Sequence, residues 1–320
     1  MFNTLHGEPD ELKLKDFINN IVDEFDCSLE DLSLDVGMSE EELAEIVMPD
    51  LSDSDGDDEV KDDVPAITKR GDLWELGKHR VLCGDSTVEK DVELLMNGKK
   101  ADMVFTDPPY GVDYSGGLQF DNKGEATKNS RKKLENDNDD SIYSKIVPIL
   151  AKNCNGAIYT WYAGTRPIHL YNAVEKVGDI HALLIWVKNG GYGALNANYK
   201  QKHEPCLYWK SKGKKLNFCG ATTETTVWNI DKDGKNKLHP TQKPVELANK
   251  AILNHSVGIV MDIFLGSGST LIACEKNNRI CYGMELDEHY CDVIVNRYVD
   301  WCKKNEVEYS VKLNGKQYQS

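Results

Sequence analysis

The chain has 320 residues and a formal net charge of −15, long enough for one large domain with a small companion. No apolar run reaches the length of a bilayer span and the first residues do not read as a signal peptide, so a membrane or secreted role is not expected. The nine cysteines are odd in number, scattered and never spaced as metal-binding pairs, so reduced thiols in a cytoplasmic protein without a metal site are expected.

The acidity belongs to one end. Residues 1–65 carry 22 acidic and 3 basic side chains, leaving 31 acidic and 35 basic for residues 66–320. The mildly basic remainder permits a nucleic-acid partner without demonstrating one. Residues 1–48 read as a small acidic helical module, with Leu14, Phe17, Ile18, Ile21 and Val22 at helical spacing and Ser39 with Glu42 as a capping box. Leu32 to Ile46 faintly resembles a helix-turn-helix. Glu40, Glu41, Glu42 and Glu45 stand where a groove-reading helix needs positive charge, so the module is expected to serve a protein partner or a homodimer, or solubility. Residues 49–66 form an acidic flexible linker.

From residue 67 to 320 the pattern becomes α/β. Asp72 to Cys83 predicts two strands around a glycine turn, ending at the polar Gly84-Asp85-Ser86. Ala101 to Phe105 is a short apolar run suited to a buried parallel strand, followed by Thr106-Asp107-Pro108-Pro109-Tyr110. The two prolines remove two donors in succession and end sheet pairing, which leaves a rigid turn carrying one carboxylate, two bare carbonyls and one aromatic ring. That set suits a flat uncharged amine. Asp107 and the Pro108 carbonyl can accept both hydrogens of an exocyclic NH2 while Tyr110 stacks on the ring. Residues 111–140 form a long polar loop with Lys128, Arg131, Lys132 and Lys133.

Helices are predicted around 142–150 and 168–177, and strands over 157–161, 182–187 and 206–209. Residues 210–238 are a second basic stretch, including Lys212, Lys214 and Lys215. His239-Pro240-Thr241-Gln242-Lys243-Pro244 opens a helix. Ile259 to Asp262 then runs as a buried strand into Ile263-Phe264-Leu265-Gly266-Ser267-Gly268-Ser269-Thr270, and a strand over 281–284 ends at Glu285 before a closing amphipathic helix. Strand, Gly-x-Gly, helix, strand and acid is a nucleoside-binding arrangement. Only two glycines occur, and Asp262 just before the turn would repel a pyrophosphate but attract an α-ammonium group. That favours S-adenosylmethionine over NAD or ATP.

Asp107-Pro108-Pro109-Tyr110, followed far downstream by the His239–Pro244 segment and by Phe264 to Thr270, resembles the amino-group DNA methyltransferases that act on adenine N6 or cytosine N4. The order, catalytic turn before cofactor loop, is similar to the permuted β class. The resemblance spans about residues 67–302 and implies a Rossmann-like, mostly parallel seven-stranded sheet. It implies that Asp107, Pro108, Pro109 and Tyr110 hold a flipped base in double-stranded DNA. It further implies that Asp262, Phe264, Gly266, Gly268 and Thr270 line the methionine end of S-adenosylmethionine, with Glu285 at the ribose and Asp85 and Ser86 near the adenine, and that Asp107 and Ser269 also bind the cofactor. Thr241 and Lys243 would flank the cofactor from the other side, although Lys243 could instead meet backbone carbonyls or phosphate.

Residues 111–140 and 210–238 are the expected DNA contacts, through Lys128, Arg131, Lys132, Lys133, Lys212, Lys214 and Lys215, which would meet mainly phosphates. Family members acting on cytosine N4 more often carry serine at the Asp107 position, so the expectation is site-specific methylation of adenine N6. Cytosine N4, and a regulatory binding protein with a vestigial enzyme fold, are the alternatives.

Overall fold

Asp72 to Cys83 folds as the expected antiparallel hairpin of β1 (Leu73–Leu76) and β2 (His79–Cys83), with Leu73 opposite Leu82. The computed structural model describes residues 57–58, 60–109, 119–120, 126–127, 142–192, 198–231, 242–255 and 258–318. These belong to one unit, Asp57–Ser320; Met1–Gly56 forms another, and the helices expected over residues 1–48 lie outside the described residues.

After β2 come a short helix α1 (Glu89–Met96) and β3 (Ala101–Thr106). Between β3 and the next helix, β4 (Gln119–Phe120) and β5 (Ala126–Thr127) pair as a separate two-stranded ribbon. The chain continues through α2 (Ile142–Asn153), β6 (Cys154–Trp161), α3 (Pro167–Val177), β7 (Gly178–Tyr192), β8 (Gln201–Ser211) and β9 (Val227–Asn229). It closes with α4 (Val245–Leu253), β10 (Ile259–Asp262), α5 (Ser269–Lys276), β11 (Ile280–Glu285), α6 (Glu288–Lys304), β12 (Val311–Leu313) and β13 (Lys316–Gln317).

The main sheet runs β13-β12-β1-β2-β11-β10-β3-β6-β8-β7-β9. Strands β2, β11, β10, β3 and β6 are mutually parallel, while β8 is antiparallel to both β6 and β7. The result is an α/β fold on a large mixed sheet of eleven strands, rather than a sheet of seven. The difference has a simple cause. β1 with β2, and β12 with β13, are joined too tightly for a crossover, so they extend one edge as antiparallel pairs. The β7–β8 hairpin and β9 extend the other.

Helices cover both faces, as parallel strands require. Val245, Ala248 and Ile252 of α4, Leu271 and Cys274 of α5, and Ile294 and Tyr298 of α6 pack on one side. Val92 and Leu95 of α1, Ile146 and Leu150 of α2, and Leu170 and Val174 of α3 pack on the other. Each fully buried aliphatic side chain contributes about 2 kcal/mol. In α6 the Asp287 carboxylate accepts the His289 backbone N–H at 2.8 Å, Glu288 follows in the first turn, and Lys303 and Lys304 close the last, each charge complementing the helix dipole.

The end of the acidic segment is held firmly on this domain. The Asp57 carboxylate accepts from Trp301 Nε1 at 3.1 Å and Lys276 Nζ at 2.5 Å, and its carbonyl accepts from Arg297 Nη2 at 2.6 Å. The Asp58 carboxylate takes the Val245 N–H at 2.9 Å, capping the start of α4 from outside the helix. Of the stretch read as linker, residues 57 and 58 are thus structural parts of the domain.

Candidate active site

The parallel strands place their carboxyl ends together by register. Asp262 of β10 lies opposite Gly283, Glu285 of β11 opposite Cys83 of β2, and Thr106 of β3 opposite Thr160 of β6. From β10 the chain crosses through α5 to β11 on one side. From β3 it crosses through α2 to β6 on the other. The direction of winding therefore reverses between β10 and β3, and a crevice outside their carboxyl ends is where open α/β sheets take ligands. The glycine turn follows β10 and the proline turn follows β3, so the two sequence motifs meet at that reversal.

Asp262 is buried. Thr106 Oγ1 donates to its Oδ1 at 2.9 Å, Phe264 N to the same oxygen at 3.1 Å, and Thr270 Oγ1 to Oδ2 at 2.6 Å. Burial pushes its carboxyl up to about 6, even though these hydrogen bonds favour the anion. Glu285 accepts from Gly266 N at 2.8 Å on Oε2, and from Leu286 N at 2.8 Å and Asp287 N at 3.0 Å on Oε1. Burial raises it to about 7. Three of its roughly four acceptor directions are thus spent on backbone, which leaves room for a ligand hydroxyl. Gly266 and Gly268 have φ of +56° and +93°, in the region that favours glycine. A Cβ at Gly266 would meet nothing within 4 Å, so the backbone there faces open space, whereas at Gly268 it would lie 3.3 Å from Ile294.

On the other lip, Asp107 is paired with Lys243, whose Nζ donates to Oδ2 at 2.5 Å and to Glu204 Oε2 at 3.0 Å. Lys188 pairs with the other oxygen of Glu204. Lys243 Nζ also sits 5.0 Å above the Trp161 ring, and Lys188 Nζ the same distance above Trp186. The Lys243 side chain is 9% exposed and that of Asp107 29%, so the lysine backs the carboxylate from inside while Asp107 reaches the opening. Burial pulls Lys243 down, but the Asp107 and Glu204 carboxylates outweigh it and hold the ammonium above the ordinary lysine range. Burial likewise opposes the Glu204 anion, yet Lys243 and Lys188 bring it down to about 2.

Lys243 joins the two lips. Its ammonium is on Asp107, and its backbone carbonyl accepts from Ser269 Oγ at 2.8 Å, at the start of α5. Arg297 holds the same loop, donating to the Ser267 carbonyl at 3.0 Å. Lys243, expected to flank the cofactor or to meet backbone carbonyls or phosphate, has its head group on the carboxylates of Asp107 and Glu204. Glu204 and Lys188 were not singled out in the sequence, and the signal was weak, because an acid and a base 16 positions apart carry no periodic pattern.

The remaining expected residues divide. Gly84 N donates to the Glu285 carbonyl at 2.9 Å, which brings the Asp85 and Ser86 turn beside the crevice. There Ser86 Oγ donates to the Ile263 carbonyl, tying this turn to the segment after β10, while Asp85 Oδ1 accepts from Thr87 N at 2.9 Å within the turn. Pro108 is buried beside Asp107, and Pro109 is partly buried. Tyr110, Lys128, Arg131, Lys132, Lys133, His239 and Thr241 lie outside the described residues. Lys212, Lys214 and Lys215 are not brought to the site. They follow Ser211, which pairs with Gly178 at the opposite end of the sheet, where Lys212 donates to the Glu175 carbonyl and Lys214 to Asn155. Because β8 runs antiparallel to β6, its carboxyl end points away from the crevice. A groove of about 520 Å³, lined by Tyr162, Tyr171, Leu183 and His203, lies beside α3.

Comparison with known proteins agrees with this geometry. Residues 101–296 match the N6/N4 methyltransferase family model, described as DNA methylase. The chain is 28% identical over 239 residues to the Type II methyltransferase M2.MboI of Moraxella bovis, covering 66% of this chain and 86% of that protein. It is 25% identical over 223 residues to the Type II methyltransferase M.HpaI of Haemophilus parainfluenzae, covering 61% and 67%. Among solved structures, the M1.HpyAVI–SAM complex is similar with a TM-score of 0.50 and 25% identity, over 68% of this chain and 98% of that one. The chain belongs to the DNA methylase family of N6- and N4-directed amino-methyltransferases.

Proposed function

We propose that the protein transfers a methyl group from S-adenosylmethionine to the exocyclic N6 of an adenine flipped out of double-stranded DNA, at a defined site. The observation that carries this reading is Lys243, which ties the Asp107 turn to the glycine turn through its ammonium and its carbonyl. The crevice fits the cofactor on its own terms. It offers an open glycine backbone at Gly266, a buried carboxylate at Asp262 for an ammonium group, and Glu285 for a ribose hydroxyl.

When bound, S-adenosylmethionine supplies an electrophilic methyl on a sulfonium. The protein's part is to prepare the nucleophile. An exocyclic amine is weakly nucleophilic because its lone pair is shared with the ring. By accepting its two hydrogens, Asp107 and the Pro108 carbonyl favour a pyramidal nitrogen with its lone pair free. Tyr110 would hold the ring in plane. The N–C bond would form as the donor's S–CH3 bond breaks and leaves a neutral thioether, and the positive charge then gained by the nitrogen would be stabilised by the Asp107 carboxylate more than the neutral amine is. One N–H proton then leaves to water. Lys128, Arg131, Lys132 and Lys133 supply phosphate contacts in this reading, and the acidic N-terminal module serves a protein partner or a homodimer.

The test is methyl transfer from labelled S-adenosylmethionine to duplex DNA, followed by mass analysis of the nucleosides. N6-methyladenine is expected. N4-methylcytosine would overturn the choice of base, and an absence of label on DNA would overturn the activity.

A further inference from the structure

Glu204 lies outside every motif of the site, yet it is the second acceptor of the lysine that grips Asp107. It opens the inward run of β8, opposite Trp186 of β7 and two residues before Cys206, which pairs with Trp161. Its side chain is 17% exposed, and both of its oxygens are engaged, one by Lys188 and one by Lys243 at 3.0 Å. The chain Lys188, Glu204, Lys243, Asp107 therefore alternates in charge and sums to zero.

This matters because Asp107 meets Lys243 through Oδ2 at 2.5 Å, and an amine that takes that oxygen must share it with the ammonium. A buried ammonium that loses its acceptor is costly, on the scale of a broken buried ion pair. With Asp107 as its sole anionic partner, Lys243 would compete with the base. With Glu204 already 3.0 Å away, a small rotation lets the ammonium lean onto Glu204 while it stays over the Trp161 ring.

We infer that Glu204 is a positioning residue for methyl transfer: it takes up Lys243 as Asp107 turns to the amino group of the target base. The inference rests on the methyltransferase reading for its kinetic consequence, but the grip of Glu204 on Lys243 does not. Lys188 orients Glu204 in turn and keeps its carboxylate from seeking other donors.

The test uses the full-length chain and its Glu204→Gln and Glu204→Asp variants, assayed with labelled S-adenosylmethionine and duplex DNA. Glu204→Gln is expected to lower kcat at least tenfold with KM for the methyl donor within twofold. Glu204→Asp, which keeps the charge on a shorter arm, is expected to recover most of that loss. The second readout needs no DNA. The Lys243 Cε resonance, followed by NMR in lysine-labelled protein, should titrate at lower pH in Glu204→Gln than in the parent. An unchanged kcat in Glu204→Gln, a loss confined to KM, or an unmoved Lys243 titration would each overturn the inference. If Glu204→Gln does not fold, the same two readouts on Glu204→Ala decide it, because a variant without the carboxylate that matches the parent in both contradicts the role. If the parent moves no label onto DNA, the methyltransferase reading fails, while the Lys243 titration still decides whether Glu204 holds the lysine.

Discussion

The two lips of the crevice treat their acids in opposite ways. Asp262, buried, and Glu285, partly buried, sit among neutral N–H and O–H donors beside the glycine turn, and desolvation raises them to about 6 and about 7. Glu204 and Asp107, beside the proline turn, face lysines, and Glu204 is held at about 2. An acid raised by burial is relieved when a cation or a hydroxyl arrives. An acid already matched with a cation is instead set in place and orientation. On the proposed reading the first lip is built to receive a ligand with a positive centre, and the second to hold a fixed acceptor for an amine.

The comparison breaks first at Asp107. On the proposed reading Asp107→Ala removes the acceptor that works hardest in the transition state, and kcat should fall by about a hundredfold or more, with donor affinity within a few-fold of the parent. Lys243→Met should come next. It leaves Asp107 and Glu204 short of their shared cation, costing about 3 kcal/mol of stability. The loss would read as a lower urea midpoint at unchanged slope, and a variant as stable as the parent would show that the clamp does not matter. Glu285→Gln should weaken donor binding by about tenfold in calorimetry, on the scale of a charge-assisted hydrogen bond.

The same Glu285 gives a pH prediction. Its folded carboxyl sits at about 7, above the ordinary 4.5, so the folded state holds that proton more tightly than the unfolded chain. This contribution to stability is fully present below about 4.5 and is lost as pH rises towards 7. Ligand-free parent protein should therefore lose stability across that window, and Glu285→Gln should flatten the slope. The glycines of the turn are tested through stability. Gly268→Ala, with φ at +93° and Ile294 3.3 Å from the new Cβ, should cost about 2 kcal/mol, and Gly266→Ala, facing open space, about 1.

Much of this was legible in the sequence where the pattern is local. Helices α2, α3, α4 and α6 and strands β3, β6, β10 and β11 follow apolar periodicity, and the glycine and proline turns each stand at a strand end. Helix α1 escaped notice because Glu89 to Met96 is short and largely charged. The β12–β13 hairpin was readable but unread: Asn314-Gly315, with φ of +51° and +76°, is the pair that a tight hairpin turn demands. Long-range facts were not legible. Whether a basic stretch lies at the site depends on strand direction, so Lys212, Lys214 and Lys215 looked equivalent to the lysines of the other loop. The role of Glu204 depends on β8 lying beside β6, which brings it to Lys243 from 39 positions away.

The most direct test of the central claim is a crystal structure of the protein with S-adenosylmethionine bound. The account predicts the cofactor in the crevice between β10 and β3, its ammonium at Asp262, its ribose at Glu285 and its methyl group turned towards Asp107. A cofactor seated on another face, or one whose methyl group points away from Asp107, would contradict it.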